Sequence, residues 1–425
     1  MEQPNLAMIP SGVKATKVYS IMPESGVGDF TFARSSTAYR INKNGLWETS
    51  ASNLPRLHYD LTNGNPDSCP CLLLEPASTN ILGYSETFSS WGQTRSDITL
   101  NSLTSPDGTV NASKMTDDGS TGTDTSQRFL SVTVEEDEDY HFSVFAKKGS
   151  MDFIALRTGS FSDGGGTGET FFNLATGAVG TTYANHTASI EKYPNEWYRC
   201  IIKFTSGTDL NGTLLIRQAS SNGTSTVPLD GNSFIYLWGA QFEKSTFVTS
   251  YIKSDSNSQT TRSAETCNGA GDANTFNSEQ GILFAELAAF SDTVESGRIS
   301  LSKNNSNNDY ISFDYRATSN TFRIVYNVGG SNIIATSHNI SSPSNAFNKV
   351  AFKFKAGSQE LYVNGNLITT SLSSSVYSSG TLSQIQFSLP SGGSVFKGKC
   401  KDLRYYDTEG MTDTEITNLL TQLTK

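Results

Sequence analysis

The feature that most constrains this chain is a period-two alternation of apolar and polar side chains, repeated in short runs with turn residues between them. Tyr140, Phe142, Val144 and Ala146 alternate with His141, Ser143 and Phe145, the pattern of a half-buried strand. Tyr198, Cys200, Ile202 and Phe204 repeat it. Phe234, Tyr236, Trp238, Ala240 and Phe242 read as one face of a third strand, with Ile235 and Leu237 on the other. Apolar residues on both faces point to a central strand or an interface. Breaks rich in Gly and Asp at 163–168, 207–212 and 222–232 separate the runs. One sheet alone would leave an apolar face in water, so two facing sheets are required.

A second strand series opens at Gly281-Ile282-Leu283-Phe284 and continues through Val350, Phe352 and Phe354. Asn364-Gly365 inside Glu360–Ile368 marks a tight hairpin, because both residues tolerate positive φ. Ile385, Phe387 and Leu389, then Leu403 and Tyr405, supply later strands. After them the period changes. Thr412 and Glu415 have capping-box spacing, and Ile416, Leu419, Leu420 and Leu423 form one helical stripe.

The expected fold is therefore all-β: two consecutive antiparallel β-sandwich (jelly-roll) domains after an irregular N-terminal segment, with a short C-terminal helix. Residues 1–84 read as an attachment or collar segment, with a hairpin at Asn44-Gly45. The first sandwich spans 85–262, the polar stretch 263–278 is a linker, and 279–425 holds the second sandwich and the helix.

At 425 residues the chain is too long for one ordinary core. Only 17% of residues are charged and the formal net charge is −10. Basic residues are scattered, without the clusters that grip a phosphate backbone, so nucleic acid is not an expected partner. No apolar run is long enough for membrane insertion, and the first residues lack the pattern of a secretory leader. Cys69, Cys71, Cys200, Cys267 and Cys400 form no disulfide framework, and the four histidines share no metal-ligand spacing with them.

Several separated blocks occur in an order that resembles tail, fibre and other appendage proteins of double-stranded DNA bacteriophages. They are Phe32 with Arg34–Arg40, Asn42–Glu48, Asn53–Asp60 and Leu72–Asn80, followed by Ser85, Glu86, Phe88 and Trp91. Thr249–Ile252 and Thr261–Ala264 resemble the segment that closes the next domain in such proteins, although Lys253 stands where a Pro is usual. Residues around 85–250 look like a carbohydrate-binding module, through Asn173–Gly177 and Asn195–Arg199. The region from about 279 resembles a laminin-G-like or concanavalin-like domain, through Leu361–Gly365, Asp402–Tyr406 and Thr412–Ile416. The resemblance implies a structural protein of a virion's exterior, made in the host cytoplasm, on the head or the tail. It implies other virion structural proteins as partners of the N-terminal segment, a homo-oligomer such as a trimer, and host surface glycans as a ligand class. A dedicated host-glycan adhesin is the alternative, and a polysaccharide-processing enzyme a more distant one.

No catalytic site is legible, and a non-enzyme is expected. The acidic run Glu135–Asp139 precedes a strand and suits a solvated turn. Calcium could use such carboxylates, but the ligand spacing of a calcium loop is missing, so no cofactor is expected. Gly164-Gly165-Gly166 lacks the Lys-Ser/Thr of a phosphate loop, and no serine lies in a nucleophile elbow. Sugar binding has a physical route through aromatic faces and polar side chains. Its candidates are Trp91, Trp197, Tyr198 and Trp238, with Arg217 and Gln241 as polar helpers. Against them stands the frequent use of strand aromatics as core. Tyr310, Tyr315, Tyr326 and Tyr362 are equally open to both readings.

Overall fold

The computed structural model describes residues 2–292, 296–304, 306–316, 320–340, 344 and 346–425. The all-β reading holds. The alternating runs become strands of two antiparallel sandwiches, and the only α-helix among the described residues is Asp413–Thr424. Thr412 and Glu415 close the capping box at its start. Its apolar stripe packs on Ile282, Phe284, Ala351 and Tyr406, on the outer face of a sheet.

The first sandwich has two six-stranded sheets. One runs Gly92–Thr94, Gln127–Thr133, Asn211–Ala219, Phe153–Gly159, Gly168–Asn173, Ala178–Val179. The other runs Ser96–Thr104, Val110–Asp117, Phe234–Lys244, Asp139–Lys148, Trp197–Thr205, Thr187–Tyr193. Phe142, Val144, Ile154, Leu156, Ile202 and Ile216 fill the space between them. The acidic run lies in the turn before Asp139–Lys148, where Lys244 pairs with Glu135 and Glu138.

The faces of Phe234–Lys244 differ from the simple alternation. Ile235 and Leu237 share the inner core with Ala240 and Phe242, whereas Trp238 points outward. Gly239 is the cause. It adopts φ +56° where the register with Asp139–Lys148 shifts, a bulge that advances the alternation by one residue.

The second sandwich is built from both ends of the chain. Its five-stranded sheet runs Ser331–Asn339, Thr321–Val328, Tyr310–Tyr315, Gly297–Ser302, Gln384–Gln386. The facing sheet runs Asn366–Ser371, Gln359–Val363, Asn348–Phe354, Gly281–Ala288, Gly398–Tyr406, Cys71–Leu74, Arg56–His58. Leu6–Met8 also pairs with Gly398–Tyr406, Leu6 opposite Tyr405, while Leu72 lies opposite Cys400. Residues 1–84 thus supply strands to this sheet, in contrast to the separate collar expected from their irregular pattern. Leu6, Met8, Leu72 and Leu74 belong to its core, and apolar strands this short are stable only on an existing sheet.

The expected linker is structured as well. Thr266–Asn268 pairs with Phe30–Ala33, Cys267 opposite Phe32, and Cys267 and Phe276 are buried in the same core. The Asn44-Gly45 and Asn364-Gly365 hairpins form as expected. The first of these, Ala38–Ile41 with Trp47–Ser50, lies against the outward face of the first sandwich. Ile41 and Trp47 cluster there with Phe145, Tyr193, Trp197, Trp238 and Tyr251.

Candidate functional site

Behind that hairpin the ordered sequence blocks converge. Arg34, Arg56 and Glu75 come from three separate segments and Arg262 and Glu265 from a fourth, and all five are buried. Arg56 pairs with Glu75 at 2.7 Å and, through both Nε and Nη2, with Glu265. Arg34 Nη1 reaches Glu265 at 2.7 Å, and Arg262 Nη1 reaches Glu75 at 3.0 Å. Burial alone would raise the Glu75 pKa, but Arg262 and Arg56 outweigh it and hold the carboxyl well below the usual range. Ser250 donates to Glu75, and Thr249 and Gln241 donate to the nearby Glu243. Desolvation makes so many buried charges costly unless each is paired and hydrogen-bonded. Here each has an opposite charge beside it, with Arg262 Nε alone in the cluster left without a hydrogen-bond partner, and the cluster fastens the N-terminal segment to both sandwiches.

Beside this cluster opens a cleft of about 800 Å³, walled by the N-terminal segment and by both sandwiches. His58, Asp60 and Trp47 come from the first of these, Glu191, Tyr193, Tyr198 and Arg199 from the second, Phe290, Phe347 and Lys399 from the third. Each is placed by local structure. His58 ends a strand, Lys399 lies on the strand that receives the N-terminal residues, and Arg199 lies on Trp197–Thr205.

His58 Nδ1 accepts the Ile41 N–H at 3.2 Å, which puts the ring proton on Nε2, 3.4 Å from Asp60 Oδ1. Burial lowers the His58 pKa and keeps the ring neutral. Burial works against the Asp60 charge, but His58 and the ion pair with Lys399 outweigh it and hold the carboxyl well below its ordinary range. Asp60 in turn raises the Lys399 ammonium against the opposing effect of burial. Arg199 donates through Nε to Ser143 Oγ at 3.2 Å and through Nη1 to the Thr249 carbonyl at 3.0 Å. The Tyr193 hydroxyl donates to Glu191 at 3.1 Å.

The cleft thus offers paired acids and bases, amides and ring edges in a polar recess. That inventory suits reversible hydrogen bonding to a polyhydroxylated ligand. A nucleophile is harder to find. Burial pushes the nearby Cys71 thiol up, and its hydrogen goes to the His58 carbonyl. Among the described residues no group of three or more His, Cys, Asp or Glu could hold a metal ion.

The sugar-binding candidates read from the sequence are placed differently. Trp91 packs into the first core against Phe88, and Trp197 and Trp238 are sealed under the N-terminal hairpin. None of the three presents a ring face to solvent: Trp91 lies within the inner core, and the outer surface that carries Trp197 and Trp238 is covered by the chain's own N-terminal segment. Gln241 is fully buried and fixes the Ile252 N–H and Glu243. Arg217 is engaged by Glu169 and Gln127. Of the six, Tyr198 alone lines the cleft. Tyr310, Tyr315, Tyr326 and Tyr362 are buried too. His58 and Asp60 lie inside the Asn53–Asp60 block and could have been drawn from it. Arg199 and Lys399 carry no signal beyond a charge within a strand.

No curated protein matches the chain. Among solved structures, the CBM40 of the Ruminococcus gnavus IT-sialidase bound to alpha2,3 sialyllactose is similar at 16% identity over 36% of this chain and 93% of that one, with a TM-score of 0.28. Mouse laminin alpha1 chain domains LG4-5 are similar at 10% identity over 65% of this chain and 85% of that one, with a TM-score of 0.22. Xylan beta-1,4-xylosidase from Bacillus halodurans C-125 gives 9% identity over 94% and 88%, with a TM-score of 0.21. Residues 288–417, which include the third wall of the cleft, match the family model Laminin_G_3, the concanavalin A-like lectin/glucanases superfamily.

Proposed function

We propose that this chain is a structural appendage protein of a virion's exterior and that it binds host surface glycans, without turnover, in the cleft between its sandwiches. One observation carries the binding reading: Ala288, Phe290, Phe347 and Lys399 belong to the segment matched by the lectin-type model and also form a wall of the cleft. The polar, partly aromatic lining is the kind of surface that exchanges water for sugar hydroxyls. The virion setting is supported by the ordered blocks, whose Arg34, Arg56 and Glu75 build the buried cluster. The proposed partners are other virion structural proteins and further copies of this chain.

A glycan array probed with the intact chain tests the binding reading, with an Arg199→Lys, Lys399→Met double variant as its control. Binding to a defined glycan group that the variant loses is the expected result. No binding by either protein sinks the adhesive role. Mass spectrometry of purified particles addresses the setting, and absence of the chain from them would remove the structural role.

A further inference from the structure

The first sandwich contains a second recess, away from the cleft, where one edge strand passes into the other sheet. Gly92–Thr94 edges one sheet and Ser96–Thr104 edges the other, and the chain crosses between them at Arg95. Ser89, Trp91, Gly92, Gln93, Ile98 and Arg128 line a shallow pocket of about 420 Å³ at this crossing.

Arg128 is out of place in the strand Gln127–Thr133. It shares the inward-facing parity of Leu130 and Val132, both packed in the core, and is itself only 4% exposed. Nη2 donates to the Ser96 carbonyl at 2.6 Å. Nε is buried without a partner. No carboxylate pairs with this guanidinium among the described residues, and Asp97 acts on it only at longer range. Of the other buried arginines, Arg34, Arg56 and Arg262 have glutamate partners, whereas Arg199, whose Nη2 is also buried without a partner, is held by Ser143 and the Thr249 carbonyl. An unpaired buried cation is destabilising, and it is relieved by an anion that brings its own acceptors.

We infer that this pocket binds the carboxylate of an acidic saccharide. Arg128 supplies a charged guanidinium donor suited to a carboxylate. Ile98, with the small part of Trp91 that reaches the pocket, gives an apolar wall for ring C–H groups. The Trp91 indole N–H is already committed to the Tyr84 carbonyl at 3.2 Å, so Trp91 contributes surface and no polar contact. Ser89 and Gln93, both exposed on the rim, are free to meet hydroxyls. The inference rests on the glycan-binding reading above and adds to it a second site and a chemical class.

The test is a titration of the intact chain, labelled with ¹⁵N-arginine, with sodium glucuronate, glucose and inorganic phosphate in parallel. Glucuronate is expected to shift the Arg128 Nε resonance in a saturable way, and glucose to leave it unmoved. Arg128→Met is expected to weaken glucuronate binding about tenfold or more, the worth of a charged hydrogen bond, without lowering the unfolding midpoint. An Arg128 resonance that glucuronate does not move overturns the inference, and this measurement needs no variant to fold. A phosphate response equal to that of glucuronate overturns it too, since the site would then take any small anion. Glycan binding in the cleft while Arg128 stays silent toward glucuronate would sink this inference and leave the cleft reading intact.

Discussion

Arg56 and Glu265 meet side on, both side chains completely buried, although 209 residues separate them in the chain. Between them in sequence lies the whole first sandwich. The pair therefore works as a clasp that closes the second sandwich around an inserted domain.

Breaking that clasp from one side leaves an uncompensated buried charge. Arg56→Met is expected to cost about 3–5 kcal/mol, read as a fall in the urea midpoint. Arg56→Lys should rescue little of it, because an ammonium cannot reproduce the two-pronged contact. A Lys variant as stable as the parent would mean that the fork contributes nothing.

Loss of stability on acidification should begin near pH 6.5. The Thr158 hydroxyl donates to the Gly165 carbonyl, so it accepts from His186 Nε2–H, and Nδ1 is left to accept from Thr170. Burial holds His186 neutral, with its pKa lowered to about 4. A depressed pKa gives stability that is full above the unfolded value of about 6.5 and is lost as pH falls toward the folded one. His141, also lowered to about 4 by burial, adds to the same window. Glu75, depressed by its arginines, follows below the ordinary carboxylate range. Unfolding midpoints of His186→Gln measured from pH 7 to 4 should fall less steeply than those of the parent.

Gly239→Ala is expected to destabilise by about 1–3 kcal/mol. The residue is held at φ +56°, and an added Cβ would meet the Phe145 ring at 3.0 Å and the Tyr251 ring at 3.3 Å. Near-ultraviolet circular dichroism should change with it, since both rings pack on Trp238. Thermal unfolding of a stable variant with an unchanged aromatic spectrum would show that the bulge tolerates a side chain.

At the helix, Thr412→Ala removes the cap that accepts the Glu415 N–H, and should cost about 1 kcal/mol. Thr412→Asp should restore most of it in the same denaturation series.

Strand identity was legible wherever one face is buried, as along Tyr140–Ala146, because the period of two then survives in the sequence. Tight hairpins and the capped helix were legible because their signals are local. Three things were hidden. Short strands such as Leu6–Met8 carry too few residues for a period, and only their partner at 403–405 makes them strands. One bulge residue, Gly239, reverses the faces after it. Covering is the third: Trp197 and Trp238 lie on the outer face of a sheet, and nothing local tells that residues 38–50 will lie over them. The cleft shares this origin, since its walls come from segments that meet only in the finished fold.

The insertion also orders events in time during synthesis. The first sandwich is complete once residue 262 has emerged, but Leu6–Met8 and Cys71–Leu74 must then wait for the strand Gly398–Tyr406 made more than three hundred residues later. Until that strand arrives Leu6–Met8 has no strand to pair with and Cys71–Leu74 has only Arg56–His58 beside it, so a truncated product would keep a folded middle and carry two sticky ends. The last strand pair made is the one that seals the molecule.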